Sequence, residues 1–152
     1  MEILTERLKL LPVPNKPLQL VSDYELGDHV KNYLRDVAAN NAIIGWGVWA
    51  IIRREDDHMI GDLGFKGKPN LDGSVEIGYG LAPSVRNNGY ATEAAKALME
   101  WAFATGKVHK VIAQCLKENA ASIKVLKKLG MMQTHSDEEM IYWERNRYLN
   151  DR

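Results

Sequence analysis

Residues 75–81 alternate strictly between two kinds of side chain. Val75, Ile77, Tyr79 and Leu81 fall on one face, and Glu76, Gly78 and Gly80 on the other. A period of two predicts a strand with one buried face. From Gly89 the period lengthens. Ala91, Ala94, Leu98, Trp101 and Ala102 recur at helical spacing and predict a helix over 89–105. Pro83 sits where the period changes, and it cannot donate to a ladder, so it marks a turn.

The same reading runs along the rest of the chain. Residues 7–12 predict a short strand, ended by Pro12, Pro14 and Pro17. Pro17 suits a first helical turn, and Leu18, Val21, Leu26, Val30 and Leu34 predict one or two short helices to about Val37. Residues 38–41 read as a loop. Residues 46–54, rich in aromatic and branched side chains, predict a buried strand. A polar turn at 55–58 leads to a partner strand over 59–66, with Met59, Gly61, Leu63 and Phe65 on one face. A second turn at 68–73 leads to the strand over 74–82. Beyond the long helix come a strand over 108–116 and a helix over 119–129 stopped by Gly130. Two closing strands follow at 131–134 and 140–148, with Tyr142 and Trp143 on opposite faces. The order predicts an α/β (α+β) fold, a mixed sheet flanked by helices, in a single domain over 1–152.

Composition narrows the function classes. The 152 residues are 45% hydrophobic and 26% charged, with 20 acidic and 20 basic side chains. That balance gives no support to a nucleic-acid or membrane partner, which usually shows as a basic excess. The apolar run at 42–52 is too short for the ~20 residues of a membrane helix. The start lacks a signal peptide's basic-then-apolar order, and the lone Cys115 rules out an intrachain disulfide. A cytoplasmic protein is expected.

The chemistry concentrates between residues 76 and 94. Gly78 and Gly80 leave a trough on one face of their strand, with Glu76 at its end. The following helix start carries Arg86, Asn87, Asn88 and Gly89. The first amides of a helix have no intrahelical acceptor and lie at the positive end of its dipole, so they favour a phosphate. Gly89 removes a side chain where the anion would approach, Arg86 adds a cation, and the asparagines tolerate left-handed backbone. An ordinary polar turn would carry similar residues, so the trough beside it is what strengthens the reading. His29, His58, His109 and His135 are scattered singly without metal-ligand spacing, so no metal is expected.

At these residues the chain resembles the GNAT superfamily of N-acetyltransferases, and more narrowly its RimJ/RimL-like branch. The phosphate-loop pattern of that family reads here as Arg86-Asn87-Asn88-Gly89-Tyr90-Ala91, followed by Thr92-Glu93-Ala94-Ala95. Glu76-Ile77-Gly78-Tyr79 with Leu81-Ala82-Pro83, the opening Thr5-Glu6-Arg7-Leu8, and Glu118-Asn119-Ala120-Ala121-Ser122 with Val125 to Met131 also resemble the branch. The resemblance implies acetyl-CoA as acyl donor, with its pyrophosphate on the amides of Asn87, Asn88, Gly89, Tyr90, Ala91 and Thr92. It implies a pantetheine arm pairing along Tyr79, Gly80 and Leu81, an amide near Gly80 or Leu81 facing the thioester carbonyl, and a contact from Asn119. The chain departs from the pattern in three places. Asn87 stands where glycine is commoner, Leu126 where many relatives carry a tyrosine acid, and the region before Trp46 is short.

Acetylating an alkyl amine, whose pKa is about 10.4, requires removing a proton, and a positioned base typically contributes ~10²–10⁴-fold. Glu76 is the expected base, acting through water as related enzymes do; Glu138, Glu139 and Glu144 are alternatives. Ser122 is expected to donate to the departing sulfur or to hold a water. It shares a helix face with Asn119 and Leu126. Cys115 would allow an acyl-cysteine route, but no histidine accompanies it in sequence. The expected acceptor is a small-molecule amine or a peptide N-terminus. The main alternative is a non-catalytic CoA-binding regulatory module, and a third is another enzyme using a different phosphate-bearing ligand. Trp143 and Tyr148, expected to be exposed on a terminal strand, leave room for a homodimer.

Overall fold

The computed structural model describes residues 1–14 and 16–148, so Asn15 and the last four positions of the expected domain lie outside the described residues. In chain order the elements are β1 (Ile3–Leu4), β2 (Leu8–Pro12), α1 (Asp28–Ala39), β3 (Val48–Arg53), β4 (His58–Phe65), β5 (Ser74–Leu81), α2 (Tyr90–Ala104), β6 (Lys110–Leu116), α3 (Ala120–Lys128), β7 (Met132–Ser136) and β8 (Met140–Asn146). The eight strands form one sheet in the order β1-β2-β3-β4-β5-β6-β8-β7. Neighbours are antiparallel except β5 and β6, which run parallel. This is the mixed sheet the pattern predicts.

α2 covers the face that carries Val75 and Ile77, both buried. Its buried residues include Ala94, Ala95 and Ala102, small side chains that let the helix lie close to the strands. Trp101 packs its ring 5.0 Å from that of Trp46 and 5.1 Å from that of Trp49. α1 covers the opposite face, where the Tyr33 ring lies so close over Gly47 that an added Cβ would stand 2.3 Å from it.

The structure corrects four expectations. Pro17 does not start a helix; 17–27 is irregular, and the helix runs over Asp28–Ala39, through part of the expected loop. Closely spaced prolines bias the residues before them away from helix. The segment is then pinned open, because Val21 donates to the Met59 carbonyl and Met59 to that of Gln19. The strand expected from Trp46 begins at Val48, after a short 3-10 turn at Asn41–Ile43. Trp143 is buried, not exposed, because the last strand in sequence lies inside the sheet between β6 and β7, with Trp143 opposite the small Ala113. Tyr148 is exposed as expected. Lastly, β4 buries residues on both of its faces, so its apolar pattern is not the one-faced stripe of alternate positions.

Candidate functional site

The candidate site lies where the sheet splits. β5 and β6 pair only over Ser74, Val75 and Glu76, against Lys110, Val111 and Ile112. Beyond Glu76 the far edge of β5 has no strand beside it, and the two strands leave a gap that opens toward α2. Ladder parity decides which groups face it. Ala82 donates to the Ile60 carbonyl and Lys66 to that of Glu76, so the even-numbered residues of β5 turn their backbone groups toward β4. The amides and carbonyls of Ile77, Tyr79 and Leu81 therefore face the gap. Gly80, expected to share that role, points its amide at β4. Arg86 Nε reaches back to the Leu81 carbonyl at 3.3 Å, closing one end of the gap.

The trough on the other face is real. Cβ atoms added at Gly78 and Gly80 would meet nothing closer than Lys66 Cε at 4.0 Å. Glu76 stands at its end, held by Lys66 Nζ at 2.6 Å and Gln114 Nε2 at 3.1 Å. A cavity of about 420 Å³ adjoins it, lined by Glu76, Ile112, Gln114, Glu144 and the stacked rings of His135 and Tyr142, 4.3 Å apart. Of the alternative bases, Glu144 reaches this cavity, 3.4 Å from Lys110 Nζ, while Glu138 and Glu139 are exposed in the turn beyond.

The start of α2 leaves backbone amides free. Asn87 and Gly89 both adopt left-handed backbone, with φ of 65° and 80°. Gly89 is the N-cap of α2, and no side chain caps the helix. The first intrahelical bond runs from the Glu93 amide to the Gly89 carbonyl, which leaves the amides of Tyr90, Ala91 and Thr92 without an intrahelical acceptor. Asn88 braces the loop instead, its side chain donating to the carbonyls of Val85 and Arg86 at 3.1 Å each.

One residue here escaped the sequence reading as a site residue. Arg7, eighty-one residues away in sequence, donates to the Asn88 carbonyl at 2.8 Å and lies over the Tyr90 ring at 4.3 Å. Its guanidinium also meets Glu93 at 2.7 Å, and Thr5 donates to the same carboxylate. Only its place in the Thr5-to-Leu8 block hinted at this, since no local pattern marks so distant a contact. Burial pushes the Glu93 carboxyl up, but bonds from Thr5 and Arg7 bring it below its ordinary 4.5. A depressed folded value means the stabilisation is full above 4.5 and fades as pH falls through the folded value. Glu93→Gln is expected to cost about 1 kcal/mol at pH 7 and to flatten part of the acid-side loss. Urea unfolding at pH 7 and in mild acid checks both; equal costs at the two would remove the ionic contribution.

On the α2 side of the gap, Tyr79 Oη is shielded from solvent with no well-formed hydrogen bond. Burial raises its pKa, and the neighbouring Ser122 partly offsets that. Asn119 caps α3 by accepting from the Ser122 amide at 3.1 Å, which places Ser122 in the first turn. Leu126 is buried on the same face, and so is Cys115 on β6, near Tyr79. Among the described residues no group of three His, Cys, Asp or Glu could hold a metal ion, and no helix is long and apolar enough to cross a membrane.

A mixed sheet split between two parallel strands, with strand amides facing the gap and free helix amides at its mouth, forms a cleft of the kind that suits an extended, anion-bearing ligand. The chain belongs to the acetyltransferase (GNAT) domain family, which matches residues 18–132. Two Bacillus subtilis proteins resemble it. The uncharacterized N-acetyltransferase YjdG is 35% identical over 112 residues, 73% of this chain and 67% of that protein. The uncharacterized N-acetyltransferase YnaD is 33% identical over 141 residues, 86% and 82% of the two. The fold also matches the ribosomal L7/L12 alpha-N-protein acetyltransferase RimL, solved with coenzyme A, at a TM-score of 0.72 and 16% identity, covering 93% of this chain and 95% of that one. The protein is thus an N-acetyltransferase of the GNAT family.

Proposed function

We propose that this chain transfers the acetyl group of acetyl-CoA directly to a primary amine, either a small molecule or a peptide N-terminus, that enters from the glycine trough. The split between β5 and β6 carries the reading, because the amide and carbonyl of Tyr79 and the amide of Leu81 face it with no strand partner among the described residues. Unpaired strand groups suit an extended amide-bearing arm, and the free amides at 90–92 with Arg86 suit its pyrophosphate. RimL, with the same fold, was solved in complex with coenzyme A. When bound, acetyl-CoA supplies the activated acyl group.

The remaining steps belong to the chain's own residues. The Leu81 amide, turned into the gap, donates to the carbonyl oxygen as charge builds on it. Asn87, Asn88 and Gly89 shape the cradle, and Asn119 orients the first turn of α3. Ser122 donates to the leaving sulfur. Glu76 lies four residues from Gly80, about 13 Å along a strand, so it acts through water. Its bonds to Lys66 and Gln114 make ordering of the trough its main work.

Thermal melting with and without acetyl-CoA tests the cofactor, and free-thiol release across a panel of small amines and short peptides tests the transfer. Acetyl-CoA is expected to raise the melting temperature, as a ligand at 100 times its Kd stabilises by about 2.7 kcal/mol. Glu76→Gln should keep that rise and lose less than about tenfold in thiol release, a fraction of what a direct base contributes. A melting temperature indifferent to acetyl-CoA would remove the assignment. A rise without thiol release from any amine would leave a CoA-binding regulatory module.

A further inference from the structure

We propose that His29, oriented by Asp62, is the group that takes the proton from the acceptor amine. This rests on the acetyl-transfer reading above and adds the direct base that Glu76 is too distant to be. Among the described residues Asp62 is the one polar or charged side chain in the core, 7% exposed. A carboxylate buried that deeply needs strong partners. The Tyr24 hydroxyl donates to Oδ2, and His29 Nε2 lies 2.8 Å from Oδ1. An ionised carboxylate only accepts, so Nε2 carries the hydrogen and Nδ1 keeps its lone pair. Nδ1 has no hydrogen-bond partner among the described residues, and the His29 side chain is 61% exposed.

Position favours this pair over Glu76. Asp62 stands opposite Gly80 in the β4–β5 register, so the two share the trough face with Cα atoms about 5.5 Å apart. The space above Gly80 is open, since a Cβ there would meet no atom within 4 Å. Gly27 makes room for the ring as well, because a Cβ at that position would stand 2.7 Å from Nδ1. Nor is His29 required to anchor the chain before α1. That segment is already fixed by Val21 on Met59, by Tyr24 on Asp62 and by Asp23, which accepts from Ser84 N and Oγ at 2.7 and 2.8 Å.

The step balances without a further reactant. The amine nitrogen bonds to the acyl carbon and loses its proton to His29 Nδ1, while the carbon–sulfur bond breaks and its electron pair leaves on sulfur. Asp62 holds the imidazolium that results, so it is a positioning residue.

Two variants at one site test the pair. His29→Gln retains a donor for Asp62 but cannot take a proton. It is expected to keep the acetyl-CoA melting shift and the acceptor KM, and to lower kcat by about 10²-fold. His29→Ala should lose as much, and added imidazole should restore part of it, which a merely structural role would not allow. A wild type that turns over while both variants match its kcat within about threefold, well inside what a base contributes, overturns the pair alone. A loss that imidazole does not relieve, together with a fallen melting shift, also overturns it. A wild type that acetyl-CoA fails to stabilise, or that acetylates no amine, overturns the transfer reading and this proposal with it.

Discussion

Gly89→Leu is expected to abolish the stabilisation by acetyl-CoA while leaving a folded protein. Gly89 sits at φ 80°, a conformation that costs an L residue roughly 1–2 kcal/mol. Its Cβ would stand 3.4 Å from Arg7 Nη2, an ordinary contact, so the fold is not forced apart. The remainder of a leucine would crowd the approach to the amides of Tyr90, Ala91 and Thr92, which have no intrahelical acceptor. Excluding an anion from three charge-assisted bonds, each worth about 1.5–3 kcal/mol, should weaken binding at least 10²-fold. Gly89→Ala separates strain from bulk, because it carries the first and little of the second. Melting curves of the three proteins across an acetyl-CoA titration make the check. A leucine variant whose melting temperature rises with acetyl-CoA as the wild type's does would show that the pyrophosphate lies elsewhere.

How far the site was legible depends on the range of the forces that build it. The strand over 75–81 and the helix after Gly89 were readable because each is a local pattern, period two and then near 3.6, with proline at the change. The glycine trough followed from the same alternation. What no local pattern holds is the partner across the sheet. Arg7 reaches the loop before α2 from near the start of the chain, and Asp62 reads as one polar position in an apolar run until β4 sets it opposite Gly80. His29 sits in a first helical turn, where a polar residue is unremarkable, and only the fold brings it to Asp62. Trp143 shows the same limit: its place near the end of the sequence suggests an outer strand, whereas the sheet order places β8 inside. Pro17 failed differently, since a residue that suits a helix start does not make one when the next amides bond to a strand end.

The glycines show that gap most sharply and yield the second large effect. In sequence, Gly64 on β4 and Gly80 on β5 are equivalent small residues in neighbouring strands. A Cβ at Gly64 would stand 2.0 Å from the Gly47 carbonyl oxygen and 3.0 Å from Val48 Cα, both backbone. Nothing there can rotate away, so β3 and β4 must part, and Gly64→Ala is expected to destabilise by about 3 kcal/mol. Gly80→Ala meets empty space, and replacing a strand glycine that has room restricts the unfolded chain, so stability should hold or rise by about 0.5 kcal/mol. Its methyl would instead stand in the trough beside Asp62, and acetyl transfer should fall while the acetyl-CoA melting shift remains. Urea midpoints and thiol release, measured on both variants, therefore give opposite patterns: one protein weakened throughout, the other sound but slow. If Gly64→Ala matched the wild-type midpoint, the close approach of β3 and β4 would be wrong. If Gly80→Ala transferred acetyl groups at the wild-type rate, the acceptor could not be entering over Gly80.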